Sequence, residues 1–383
     1  MAHARHKGLQ TWHWVMIAGF ILWLAMFSAH KLHFIPEEMA LWMLIAISAA
    51  HLIAGLALIQ GACEALILGV ERLGARYRWD GFIAGTIGEI VSTLPEFVVI
   101  VFLVRIDALA AFLIAVVTIY NNALVFSVYS FFLPKDVKGK FLMPDPITRA
   151  GTEILIAGSG IALVLGLSFL ALRSETHKTV LNATDLIFIA LIMFAIFGFY
   201  LHSLMRYYAK QEAEDKAALL DPSLHSVSWP AIIGMFVLGI FGAVLGGEAV
   251  SAFANTALNQ LRLPQVPTAL ILAFFAGVSE YVIVYKAHKR GEMGIALSNV
   301  FGGITQVMFL VLPFTLMAIA VMNCCIPINF VTTIVLLLLF PVFFLLFEYL
   351  EEDHTLNNLD AAGMVGIFAL IVYVLLFMSG VKG

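Results

Sequence analysis

An all-α polytopic membrane protein of about eleven transmembrane helices is what this sequence predicts: one N-terminal helix followed by two inverted five-helix repeats. Three observations carry that prediction. The 383 residues are 62% hydrophobic and only 12% charged, with a mean hydropathy of +0.99. Those values exclude a soluble globular domain. Eleven stretches are apolar and long enough to cross a bilayer. Finally, one shift of 184 residues carries Glu64 onto Glu248, Glu96 onto Glu280, Asn122 onto Gln306, Arg78 onto Arg262 and Arg105 onto Lys289.

The first span is read over about 12–29, behind a short basic tail with Arg5 and Lys7. It is expected to be retained; a signal peptide ending near Phe27-Ser28-Ala29 is the other reading. With its tail it occupies 1–38. Spans at about 39–72, 80–104, 108–133, 152–172 and 184–204 form the first repeat, 39–204. A polar connector, 205–228, leads to spans at 229–260, 266–287, 294–321, 327–349 and 360–380, the second repeat, 229–383. The second and seventh spans are too long to stand perpendicular, so they tilt or continue along the interface.

Basic residues set the orientation. Of the 21 Lys and Arg, 15 fall in loops on the N-terminal side, among them Lys135, Lys138, Lys140, Arg149, Arg206 and Lys210. The positive-inside rule then places the N-terminus in the cytoplasm and the C-terminus outside, with a bacterial-type cytoplasmic membrane as the expected location. An odd number of spans per repeat inverts the second copy. Inverted repeats are a recurrent plan of secondary transporters, with the substrate site near the midplane.

Other classes are poorly supported. The net charge of −4 gives no case for nucleic acid. Cys63, Cys324 and Cys325 make no disulfide framework. HExxH, GxSxG and P-loop patterns are absent, and no nucleophile–base set is visible, so neither an enzyme nor a cofactor is expected. The partners called for are the lipid bilayer, inorganic cations and protons; the oligomeric state stays open.

A carboxylate at mid-bilayer costs about 2.5–3.5 kcal/mol even on the lenient scale. A costly pattern present twice implies function, and transport is the function that uses it. In the third span, Ser92-Thr93-Leu94-Pro95-Glu96 places a helix-loosening proline beside a carboxylate. The eighth span has no proline near Glu280, and Gly277 is its expected weak point. Each glutamate is followed 26 residues later by an amide, Asn122 and Gln306, which can ligate a cation or hold a carboxylate in place. Glu96, Glu280, Asn122 and Gln306 are therefore the expected ion site, with Glu96 and Glu280 as metal ligands. Such all-oxygen sites suit hard cations, and calcium accepts 6–8 oxygens in irregular geometry. His51 reads as a packed helix histidine. Ser92, Thr93, Asn121, Ser279, Ser298, Asn299 and Thr305 are candidate secondary ligands. Glu89, two turns before Glu96, is a candidate proton relay or a structural acid, and it has no mate in the second repeat. Glu64 and Glu248 are expected to be access or structural groups.

At these residues the chain resembles the calcium/cation antiporter superfamily, with its sodium/calcium exchanger membrane-region repeats. Gly61-Ala62-Cys63-Glu64 and Ser92-Thr93-Leu94-Pro95-Glu96 look like the first repeat of that superfamily. Glu292-Met293-Gly294-Ile295-Ala296-Leu297, then Gly302-Gly303-Ile304-Thr305-Gln306 and Pro313, look more like its cation/proton exchanger branch. The likeness is good over about 39–133 and 229–321. It departs at Ala276-Gly277-Val278-Ser279, which lacks the usual hydroxyl or amide pattern, and at Tyr120-Asn121-Asn122. The resemblance implies that Glu96 and Glu280 bind a cation in alternation with protons.

Charge balance favours exchange. Two ionised glutamates are neutralised by one divalent cation or by two protons, whereas the empty dianion is costly to re-expose. Antiport of Ca²⁺ for protons is thus the expected activity. Na⁺/Ca²⁺ or Na⁺/H⁺ exchange and a cation channel are the alternatives. Two charged loops complete the reading. The connector stretch 211–216 is expected to be a solvated link. The cluster Glu351-Glu352-Asp353-His354 is expected as a polar loop on the outer side.

Overall fold

The computed structural model describes residues 10–31, 40–77, 87, 90–145, 147–175, 179–212, 228–291 and 293–379. Among these residues ten helices are long and apolar enough to span a membrane. The remaining expected span, the third, is described from 90 onward. Its first half lies outside the described residues, as do Arg78, Glu89 and most of the connector. The chain is a multi-pass, all-helical integral membrane protein.

The chain divides into two compact units, Met1–Ile106 with Gln211–Arg262, and Asp107–Lys210 with Leu263–Gly383. Each unit draws helices from both repeats.

The first unit holds α1 (Thr11–Lys31), α2 (Leu41–Tyr77), α3 (Leu94–Ile106) and α7 (Trp229–Asn255). The long second span is a single helix of 37 residues, about 55 Å at 1.5 Å per residue. The seventh is extended instead by a π-helical turn, Thr256–Gln260.

Helices α2 and α7 are mates under the 184 shift, and they pack on each other antiparallel through small residues. A methyl group placed on Gly55 would lie 2.9 Å from Gly246 O, and one on Gly239 would lie 3.1 Å from Ala62 O. The shift carries Gly55 onto Gly239 and Ala62 onto Gly246, so these two contacts are one contact made twice. Small residues let helix backbones approach closely where lipid offers no hydrophobic gain from association. Trp12 and Met16 of α1 close over this seam with Leu58, Ala65 and Leu245. At the end of α2, Arg76 lies over the Trp229 ring at 4.9 Å, and Tyr77 meets the same ring edge-on.

The second unit is built around α4 (Ala108–Ser130), which is buried along nearly its whole length. A helix apolar all round belongs in a core, and this one supplies Phe112, Tyr120 and Phe126. The Tyr120 hydroxyl donates to Val335 O. Asp107 caps α4 by accepting from Ala110 N at 3.0 Å, and its other oxygen accepts from Gln265 Nε2 at 2.6 Å. Against α4 pack α8 (Gln265–Ala276), α10 (Met293–Gln306), α11 (Leu312–Val321), α12 (Phe330–Leu337), α13 (Leu339–Glu351) and α14 (Asn358–Ser379), and the unit is completed by α5 (Thr152–Glu175), α6 (Ala183–Glu212) and α9 (Val278–Lys289).

Two short strand pairs tie the loops of this unit. Strand β1 (Phe141–Leu142) pairs antiparallel with β4 (Thr355–Leu356), and β2 (Val180–Leu181) with β3 (Ile326–Pro327). The first pair joins the loop after the fourth span to the loop after the tenth. The second joins the loops after the fifth and ninth spans. Successive spans alternate direction, so the two pairs lie on opposite faces. The shift carries the β1 loop onto the β3 loop, so mated loops lie on opposite faces, as an inverted repeat requires.

This pairing corrects one expectation. The cluster 351–354 is not on the face opposite the basic loop: Asp353 forms an ion pair with Lys140, beside the β1–β4 ladder. Counting spans through the break in the eighth keeps that loop with Lys135, Lys138 and Lys140.

Candidate functional site

Both glutamate-bearing spans are broken, and at equivalent residues. The third is interrupted at Thr93 and the eighth at Gly277, which the 184 shift superposes. Pro95 removes a backbone donor just after the first break. The second needs only Gly277, whose N–H reaches Ala273 O at 3.2 Å. Three residues past each break stands the carboxylate, Glu96 in the first turn of α3 and Glu280 in the first turn of α9. A helix N-terminus favours negative charge, and each acid stands at the start of the helix that follows its break.

Around Glu280 the second unit brings polar side chains together. A methyl group placed on Gly303 would lie 2.8 Å from Asn122 Nδ2 and 2.9 Å from Glu280 Oε2. Three helices therefore converge there: α4 brings Asn122, α9 brings Glu280, and α10 opens a gap with Gly303. Asn122 is 1% exposed. Among the described residues neither its Oδ1 nor its Nδ2 has a hydrogen-bond partner. A buried amide without partners costs about 1–3 kcal/mol, and such an orphan calls for an explanation.

Asn299, Gly303 and Gln306 share a face of α10 by their i, i+4, i+7 spacing. Asn299 Oδ1 is buried and likewise without a partner among the described residues. Gln306 is 8% exposed and leads directly into a π-helical turn, Val307–Val311. Such turns recur at functional sites because they re-aim side chains within a helix.

The other expected residues sit as follows. Thr93 is buried and donates to Ile90 O at 2.7 Å; the Cys63 thiol donates to Ser92 O at 3.5 Å. Thr305 is buried and donates within its own helix. Ser298 is exposed, while Glu64, Ser92, Glu96, Asn121, Glu248 and Glu280 are half-buried. The His51 ring meets Ile47 O one turn back on α2 at 3.0 Å. Glu89 and the side chain of Ser279 lie outside the described residues. Two neighbours of these residues lie beyond the sequence expectation: Gly303, which stands there only as part of a motif, and Tyr281. A tyrosine beside an intramembrane glutamate, four residues after a glycine, was the available signal.

The described residues thus form a helical membrane protein with two broken spans, each carrying a carboxylate three residues past its break. Residues 231–377, nearly all of the second repeat, match the family model described as sodium/calcium exchanger protein. The fold is similar to that of an H⁺/Ca²⁺ exchanger, CAX, with a TM-score of 0.66 at 12% identity, covering 97% of this chain and 93% of that one. It is similar to the Ca²⁺/H⁺ antiporter protein YfkE, with 0.60 at 14% identity over 94% and 99% of the two chains. The sodium-calcium exchanger NCX_Mj shares the fold at 0.50 and 14%, over 88% and 99%. No curated protein matches the sequence. The family match thus covers the second repeat, and the chain as a whole has the fold of these exchangers.

Proposed function

We propose that this chain is a secondary antiporter that exports Ca²⁺ from the cytoplasm in exchange for protons, with Glu96 and Glu280 binding the cation and the proton in turn. The observation that carries the reading is the meeting of the Glu280 carboxylate with the buried, unpartnered Asn122 amide at Gly303. Glu96 and Gln306 hold the equivalent positions under the 184 shift.

The chemistry follows from charge. Oxygens from carboxylates and amides suit a hard cation of irregular coordination. Two carboxylates carry −2, which one Ca²⁺ or two protons cancel. Only neutral forms are re-exposed cheaply across an apolar layer, so neither ion crosses without the other. Asn299 and Gln306, on the same face of α10 as Gly303, are candidates for further ligation, since the Asn299 Oδ1 has no partner among the described residues and Gln306 opens a π turn. The basic loops put the N-terminus inside.

Everted vesicles containing the protein and a pH indicator test this directly. Adding Ca²⁺ should release protons from acid-loaded vesicles, and Glu96→Gln or Glu280→Gln should abolish the response. Normal exchange in either variant would sink the mechanism. The likeness to a sodium–calcium exchanger keeps Na⁺ as the second reading, although a neutral amide at 306 leaves less charge for carrying Na⁺ and Ca²⁺ together. Ca²⁺ flux driven by Na⁺ at constant pH would select it. Flux without any counter-ion would select a channel.

A further inference from the structure

We propose that the Asn121 carboxamide is a brace across the break in the eighth span, and that with Tyr281 it fixes where the Glu280 carboxylate stands. The inference deepens the reading above and rests on it. Ala273 lies in α8, four residues before Gly277; Tyr281 lies in α9, four residues after it. Asn121 Nδ2 donates to both, to Ala273 O at 3.4 Å and to the Tyr281 hydroxyl. A backbone carbonyl only accepts, so the group facing Ala273 must be the NH₂, and the amide has one orientation. One NH₂ group on α4 thus grips both sides of the break.

Gly277 makes the grip sterically workable. The Tyr281 hydroxyl occupies the place where a side chain at 277 would begin, so the ring folds back over the break only because residue 277 is glycine. Glu280 immediately precedes Tyr281, and a rotation of α9 about Gly277 moves both together. Asn122, the next residue of α4, faces the Glu280 carboxylate at Gly303. Bracing α9 from Asn121 therefore holds Glu280 of α9 in register with Asn122 of α4.

The other break is held differently. The 184 shift carries Asn121 onto Thr305 and aligns Tyr281 with Phe97. Phe97 has no hydroxyl, and the Thr305 hydroxyl donates to Phe301 O and Gly302 O of its own helix. At Thr93 the contacts come instead from the Thr93 hydroxyl to Ile90 O and from the Cys63 thiol of α2 to Ser92 O. Asn121, expected from sequence as a secondary ligand, is on this geometry a positioning residue, and Tyr281 acts through it.

A double-mutant cycle tests the brace on purified protein, whatever the protein transports. Tyr281→Phe should lower the melting temperature of the wild type and add nothing in an Asn121→Ala background; additive losses would overturn the brace. In vesicles, each single variant should raise the Ca²⁺ KM about fivefold, the size of one lost hydrogen bond, with kcat changed less than about twofold on the same scale. The double variant should be no worse than either single one. Gly277→Ala, which displaces the Tyr281 ring, should raise KM likewise. Unchanged KM in both single variants, with the wild type transporting, would overturn the positioning role. A wild type that fails to exchange Ca²⁺ for protons would overturn the functional reading, leaving the melting cycle to decide the brace.

Discussion

Thr93 and Gly277 interrupt their helices at the same point of two repeats, 184 residues apart, although one break is reinforced by proline and the other is not. What is preserved between the copies is the break and the acid three residues beyond it. The means of making the break differs. A broken helix ends one run of backbone dipoles and starts another, and the new N-terminus sits beside Glu96 or Glu280.

Asn122 should trade stability for function. Its amide is buried and makes no hydrogen bond among the described residues, so Asn122→Leu removes a desolvated polar group and keeps the volume. The variant should melt at the same temperature or higher, by up to about 1–3 kcal/mol of stability. Its Ca²⁺ affinity in vesicle transport should fall at least about tenfold, one good ligand's worth. A destabilised variant with normal affinity would mean that the amide holds the fold.

Gly303→Ala tests the convergence of the three helices. Its new methyl group meets the Asn122 and Glu280 side-chain ends and not backbone, so the protein should fold with Glu280 displaced. Membrane expression near wild type with transport reduced by about tenfold or more is expected. Normal transport would show that neither side chain needs its present place.

The seam between α2 and α7 makes a paired prediction. Gly55→Ala and Gly239→Ala each drive a methyl group against a carbonyl oxygen of the opposite helix, at 2.9 and 3.1 Å. Backbone cannot yield cheaply, so each should cost about 1–3 kcal/mol, and the two costs should be similar because the contacts are equivalent. Gly160→Ala is the control. It faces open space on α5, and helix propensity alone should make it neutral or stabilising by up to about 1 kcal/mol. Denaturant unfolding in detergent micelles measures all three.

The Lys140–Asp353 pair predicts a pH effect outside the membrane. A hydrogen bond from the Lys140 ammonium, with the Thr355 hydroxyl and N–H, pulls the Asp353 carboxyl down to about 2. A lowered carboxyl pKa stabilises the folded loop above the ordinary value of 3.8 and loses that contribution as pH falls through about 2. Both side chains are substantially exposed, so solvent screens the pair and its effect at neutral pH is small. A ¹³C carboxyl titration should place the Asp353 midpoint near 2, and Lys140→Gln should move it back toward 3.8. An unmoved midpoint would assign the shift to Thr355 alone.

Much of the fold was legible because a bilayer leaves few choices. Backbone polar groups must be satisfied within each span, so length and hydropathy gave the spans, and the parity of five gave the inversion. The carboxylates were legible because ionisable groups in lipid are too costly to keep without use. Less visible was how neighbouring helices share the work. Asn121 and Asn122 are adjacent in sequence, and nothing in their order says which braces a helix and which faces an acid. A turn of about 100° between successive helical residues sends them to different partners.

The sequence by itself determined that this is a duplicated, inverted membrane protein with two acids in broken spans, because that pattern recurs at one shift in covalent order. Only the tertiary structure decided that each compact unit draws on both repeats, that the 351–354 loop joins Lys140, and that Gly303 brings Asn122 to Glu280. Those outcomes depend on which helix faces pack. Within a bilayer, where lipid matches every apolar face equally well, packing is settled by close backbone approach and paired polar groups, and neither is written in hydropathy.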